Sequence, residues 1–146
     1  MSKILVTGGS GYVGGYLVDL LLENDHDVTV YDALLYETRY MKEVKFIRGD
    51  IRDRDRLKDI IGDYDVIIWL AALVGDGACS VDRFLTQSIN EDTVNWLTQN
   101  YDGKIVFMST CSVYGKSNKV LDEEEETNPL SVYAKTKLNA EVALLK

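Results

Sequence analysis

A chain of 146 residues, 46% hydrophobic and 27% charged, is sized for one domain with a sizeable core. Its net charge of −8 argues against nucleic acid, which needs clustered Lys and Arg to neutralise phosphates. No apolar run reaches eighteen residues and no leader pattern precedes the first strand pattern, so neither membrane nor secretion is expected and a cytoplasmic location is. Cys79 and Cys111 form no metal or disulfide spacing, and His26 is the single histidine. No metal site is expected from such a set.

In chain order the elements alternate. Lys3 to Gly8 ("KILVTG") is a short apolar run ending in glycine, the pattern of a buried strand. The helix pattern "GYVGGYLVDLLLEN" follows, with Val13, Leu17, Leu20 and Leu21 at helical spacing. Asp27 to Asp32 reads as a second strand, Val44 to Asp50 as a third, and "DRDRLKDII" as a short polar-faced helix. Asp65 to Ala72 is continuously apolar, as expected of a central parallel strand buried on both faces. "VDRFLTQSINEDTVNWLTQN" reads as one long helix with Val81, Leu85, Ile89 and Val94 near its buried side. Lys104 to Thr110 gives a fifth strand, and "PLSVYAKTKLNAEVALLK" a last helix behind Pro129. The acidic run Asp122 to Glu126 between them reads as a solvated loop.

Strand followed by helix, repeated, predicts one α/β domain over residues 1–146. The expected fold is a doubly wound parallel sheet of the Rossmann type with about five strands, lacking the sixth.

Chemistry enters at "TGGSGYVGG", where Gly8, Gly11 and Gly14 lie between the first strand and the first helix. One glycine permits the tight turn, a second lets backbone approach a pyrophosphate, and a third lets the helix pack on the strand. The helix start that follows, with Tyr12 and Val13, offers free N–H groups to the phosphates. Asp32 ends the second strand 18 residues beyond Gly14, close to the spacing of a carboxylate that holds the adenosine ribose hydroxyls. A turn-forming aspartate is the alternative at that place. As a ribose ligand it would repel a 2′-phosphate, and "ALLY" behind it brings no arginine, so NAD is expected over NADP. Near the end, Tyr133 and Lys137 stand four apart in a helix pattern and so share one face. Such a pair is either an acid/base couple or two surface side chains.

Five segments in order resemble the extended short-chain dehydrogenase/reductase family, in its nucleotide-sugar epimerase and dehydratase branch. They are "TGGSGYVG", "YD" at Tyr31 and Asp32, "GDIRD" from Gly49, "WLAALVG" from Trp69, and "STCSVYG" together with "YAKTK". The resemblance implies that Asp50 and Ile51 frame the adenine, and that Leu70, Ala71 and Ala72 run under the cofactor. It implies a structural or proton-relay role for Asn90. It makes Thr110 the hydroxyl that bonds the reacting sugar, Tyr133 the base, and Lys137 its charge partner and a ligand of the nicotinamide ribose. The activity implied is NAD-dependent epimerisation of a nucleotide sugar through a transient ketone, by a homodimer. The alternatives are a dehydratase or reductase, or a non-catalytic NAD-binding module.

Three departures bear on that choice. Where 4,6-dehydratases of the family carry an Asp-Glu pair after the threonine, this chain has Cys111 and Ser112. Trp69 stands where a histidine is common, a change expected to alter packing. Family members run to about twice this length, so the chain is expected to be their N-terminal part, without the substrate-binding region. Alone it is expected to bind cofactor without turnover.

Overall fold

The computed structural model describes all residues, Met1–Lys146. Five strands form one parallel sheet: β1 (Lys3–Thr7), β2 (Asp27–Asp32), β3 (Lys45–Arg48), β4 (Val66–Trp69) and β5 (Lys104–Phe107). Their spatial order is β3-β2-β1-β4-β5, the order of a doubly wound dinucleotide fold. Thr7 pairs with Tyr31 on one side and with Trp69 on the other. The chain order therefore reverses between β1 and β4, where such sheets open a crevice at the strand ends.

The helices are α1 (Tyr12–Glu23), α2 (Arg54–Ile61), α3 (Asp76–Val81), α4 (Arg83–Gln87), α5 (Thr93–Asn100) and α6 (Val132–Leu144). None is long and apolar enough to cross a membrane. The chain divides into two compact units, Met1–Ala71 with Gln99–Met108, and Ala72–Thr98 with Ser109–Lys146.

The first unit holds the sheet. The steps β1 to β2 and β3 to β4 run in opposite directions across it, so right-handed crossovers place α1 and α2 on opposite faces. On the α1 face Ile4, Val6, Val28, Val30 and Ile68 pack with Val18, and Leu17 and Leu21 complete the contact. Val13 and Leu20, expected on that stripe, are exposed instead. At 100° per residue the stripe through Gly14, Val18 and Leu21 turns those two positions outward. Leu5, Ile67, Tyr31 and Trp69 point to the other face and are almost fully buried. Trp69 fills that layer with its indole N–H buried and unpartnered.

The second unit departs from the single long helix expected over 81–100. Asp82 adopts an extended backbone and its carboxylate accepts the Leu85 N–H, closing α3 and starting α4. Val81 thereby ends a short helix and is exposed. Ser88–Asp92 then widens into a π turn before α5, which carries Asn90 on its buried side. A short 3₁₀ segment, Cys111–Tyr114, leads to a loop whose base is pinned by the bond from the Asn128 N–H to the Val113 carbonyl. The acidic run Asp122–Glu126 is exposed on that loop. Helix α6 begins at Ser131, whose hydroxyl accepts the Ala134 N–H, and packs against α3, α4, the π turn and the 3₁₀ segment.

Candidate functional site

In the first unit the glycine loop joins β1 to α1. Gly8 has φ +75°, and a Cβ there would lie 2.6 Å from the Ala71 nitrogen. Only a residue without a side chain can bring the end of β1 so close to the segment after β4. Leu70 and Ala71 are thus held beside the loop, with the Leu70 N–H bonded to the Thr7 carbonyl at 3.0 Å. At Gly14 a Cβ would stand 2.6 Å from both the Gly8 oxygen and the Gly9 Cα. The start of α1 can therefore settle directly onto the turn.

That helix start lacks a side-chain cap. Asp53, Asp82 and Ser131 cap α2, α4 and α6 with side-chain oxygens. Gly11 caps α1 with none, and no acid lies in its first turn. The first N–H groups of α1, including those of Tyr12 and Val13, consequently keep their positive end of the helix dipole for an external anion. The side chains of Tyr12 and Val13 are exposed, so what they offer from the helix start is backbone.

Asp32 lies at the end of β2 and faces the loop. One carboxylate oxygen accepts the Ser10 N–H at 3.1 Å and the other the Leu34 N–H at 2.8 Å. The second bond is the turn-forming role that the sequence left open, and the first ties β2 to the glycine loop. A carboxylate has about four acceptor positions, and two bonds leave room for ribose hydroxyls. Cradle, uncapped helix start and half-satisfied carboxylate together fit a dinucleotide. Asp50 and Ile51 follow β3. The Arg52 guanidinium binds the Asp50 carboxylate at 2.6 Å and holds it below the usual carboxylate range. Tyr31 donates to the Asp50 carbonyl at 2.9 Å, and Ile51 is buried. Ser10 was not singled out by the motif, because its contribution is a backbone N–H and any residue type supplies one.

In the second unit the structure brings Thr110 and Tyr133 together. The Thr110 hydroxyl accepts the Ser112 N–H at 3.2 Å and stands near enough to Tyr133 to favour its phenolate. With its lone pair turned to Ser112, its proton is available to the phenol oxygen. Burial pushes the Tyr133 phenol up from its ordinary 10.0, the Thr110 hydroxyl pulls it down, and Cys79, Asp76 and Cys111 push it up further. Lys137, one turn along α6, is 3% exposed. Burial lowers its ammonium to about 8, and the charge of Glu141 acts against that fall.

Ala72 opens this unit beside Leu73, whose backbone is held at both ends by Asn90. The Asn90 Oδ1 accepts the Leu73 N–H at 2.8 Å, and its Nδ2 donates to the Leu73 carbonyl at 2.9 Å. Both ends of the amide are therefore spent on fixing the backbone next to Ala72, a structural task. Cys79 is buried, with its thiol pushed up chiefly by burial and its Sγ donating to the same carbonyl at 3.4 Å. It is a packing residue, inert as a nucleophile. Ser109, the first residue of "STCSVYG", hydrogen-bonds Glu141, which lies outside the segments that carry the resemblance. The one hint was spacing, since Glu141 stands four residues past Lys137.

Comparisons with known proteins bear on the fold and the family. The UDP-glucose 4-epimerase of Halalkalibacterium halodurans is 37% identical over 147 residues, covering 94% of this chain and 44% of that protein. The crystal structure of the Thermotoga maritima UDP-glucose 4-epimerase with UDP-glucose superposes with a TM-score of 0.90 at 28% identity, covering 98% of this chain and 50% of that one. The UDP-glucose 4-epimerase of Brucella ovis in complex with NAD gives 0.89 at 27% identity, covering 99% and 47%. The chain spans about half the length of the curated relatives it matches. The description "NAD dependent epimerase/dehydratase family" matches residues 4–146. A match that runs from the second residue of β1 to the last residue leaves no element outside it, and the chain belongs to that family.

Proposed function

We propose that this chain supplies the NAD-binding and proton-transferring parts of a cytoplasmic, homodimeric enzyme that epimerises a nucleotide sugar through a transient ketone. The observation that carries the reading is Thr110 set beside Tyr133, where it favours the phenolate, with buried Lys137 one turn further along the same helix. A module that only binds cofactor has no use for that trio.

On this reading the N–H groups at the start of α1 hold the pyrophosphate, and Asp32 accepts from the adenosine ribose. A carboxylate there disfavours a 2′-phosphate, which favours NAD over NADP. NAD held there would supply the hydride transfer from and back to the sugar carbon. Tyr133 takes the proton from the sugar hydroxyl, and Thr110 orients that hydroxyl and donates to the phenolate. Lys137 contributes positive charge. Moving a phenol from about 10 to about 7 needs roughly 4 kcal/mol of differential stabilisation, which one ammonium supplies in part. Cys111 and Ser112 offer no strong acid beside Thr110, which favours epimerisation over 4,6-dehydration.

The test is Tyr133→Phe in the protein at its full natural length. Loss of its acid/base group should cost about 10²–10⁴ in turnover of the nucleotide sugar, with NAD binding retained. Turnover equal to that of the unmodified protein would remove the assignment.

A further inference from the structure

Tyr133, Lys137 and Glu141 follow one another at four-residue intervals and form a row along one side of α6. Two consecutive residues stand at the ends of that row. Thr110 stands beside Tyr133, and Ser109 donates its hydroxyl proton to the Glu141 carboxylate. Lys137 lies between them, 3% exposed. An ammonium is rarely buried to that extent without a countercharge, because desolvation favours its neutral form. Glu141 is only partly buried and stands one helical turn beyond the lysine on the same side.

We propose that Glu141, anchored by Ser109, is a positioning residue that keeps Lys137 cationic at neutral pH. The inference rests on the reading of Lys137 as the charge partner of Tyr133. Several charged or titratable groups come from the elements packed on α6. The π turn brings Glu91 and Asp92, and Glu91 accepts from Asn139 of α6 at 3.0 Å. Helix α3 brings Asp76 and Cys79, and the 3₁₀ segment Cys111; all three act on Tyr133. The 3₁₀ segment also carries Tyr114, and Arg83 on α4 is exposed. The charge that raises Lys137 against the effect of burial is that of Glu141. The anchor matters because a free glutamate spreads over several rotamers, whereas one tied to Ser109 keeps its charge near the ammonium.

The experiment is an NMR titration of the Lys137 side chain in the lysine-labelled 146-residue chain, with the signal assigned by its loss in Lys137→Arg. The unmodified chain should titrate near 8. Glu141→Gln should lower the midpoint by about one unit, Ser109→Ala should lower it by less, and Glu141→Asp should restore part of the shift. A Glu141→Gln midpoint equal to that of the unmodified chain overturns the proposal. If that variant does not fold, Ser109→Ala decides: a lowered midpoint supports the anchor, and an unchanged one overturns it. The titration needs no turnover. A Tyr133→Phe enzyme that kept full activity would remove the catalytic reading and leave the shift standing.

Discussion

Lys137 gives the most quantitative prediction. Its ammonium titrates near 8 in the folded chain, against an ordinary value of 10.5. The unfolded chain regains the ordinary value, so above pH 8 it binds more protons than the folded chain does. Stability therefore rises with pH across that window. Below pH 8 folding carries the full cost, 10.5 − 8 = 2.5 pKa steps, or about 3 kcal/mol. Between pH 7 and pH 9 about 1.4 kcal/mol of that is relieved. Urea unfolding read by the fluorescence of Trp69 and Trp96 measures it. With an m of about 1.5 kcal/mol/M, the midpoint should rise by about 1 M between the two pH values. Lys137→Met removes the ammonium and should remove this rise. The Cys79 thiol, pushed up by burial, pulls the other way near pH 9, but it is present in both proteins and cancels in the comparison. Equal pH responses of the two proteins would refute the linkage.

Two further substitutions test the framework. Gly14→Ala places a methyl group 2.6 Å from backbone atoms of Gly8 and Gly9 that cannot rotate away. It should cost about 2 kcal/mol, a fall in Tm of roughly 6 °C, and weaken NAD binding by at least about tenfold, read by calorimetric titration. Asn90→Ala leaves the Leu73 N–H without its partner and should cost about 2–3 kcal/mol in urea unfolding. Asn90→Asp sets a buried carboxylate oxygen against the Leu73 carbonyl and should cost more than Asn90→Ala at neutral pH.

The fold was legible because its signals are local. Each strand is a short apolar run, the glycines mark the turn, and alternation with helices dictates parallel pairing. Where the reading missed, the cause was specific. The register of α1 was misplaced by one side because Gly14, which has no side chain, is itself a buried position of the stripe. The break at Asp82 was missed because "VDRFL" keeps helical spacing of apolar residues, while the cap bond from the Leu85 N–H to the Asp82 carboxylate ends the preceding turn. The clamp of Asn90 on Leu73 joins residues 17 apart, and the bond of Ser109 to Glu141 joins residues 32 apart. No periodicity encodes such pairs. The Thr110, Tyr133 and Lys137 set was legible only through the ordered resemblance, since each residue type is commonplace by itself.

The direction of the Tyr133 shift sharpens what the proposed chemistry requires. A phenol activated in advance would sit below its ordinary value, and this one is held above it, chiefly by burial. Asp76, Cys79 and Cys111 all oppose a phenolate, and the Thr110 hydroxyl is the favourable influence among those that set the shift. A base held this way stays protonated near pH 7 and does not draw protons idly. It becomes effective only when further positive charge stands near it, and oxidised nicotinamide is positively charged whereas the reduced form is neutral. The protonation state of Tyr133 would then follow the redox state of the cofactor. That coupling is useful in an epimerisation, where the same residue must take the proton when hydride leaves the sugar and give it back when hydride returns. Lys137, buried and cationic through Glu141, would add a constant increment of positive charge to both states. It would thereby bring the phenol within range of the switch without throwing it.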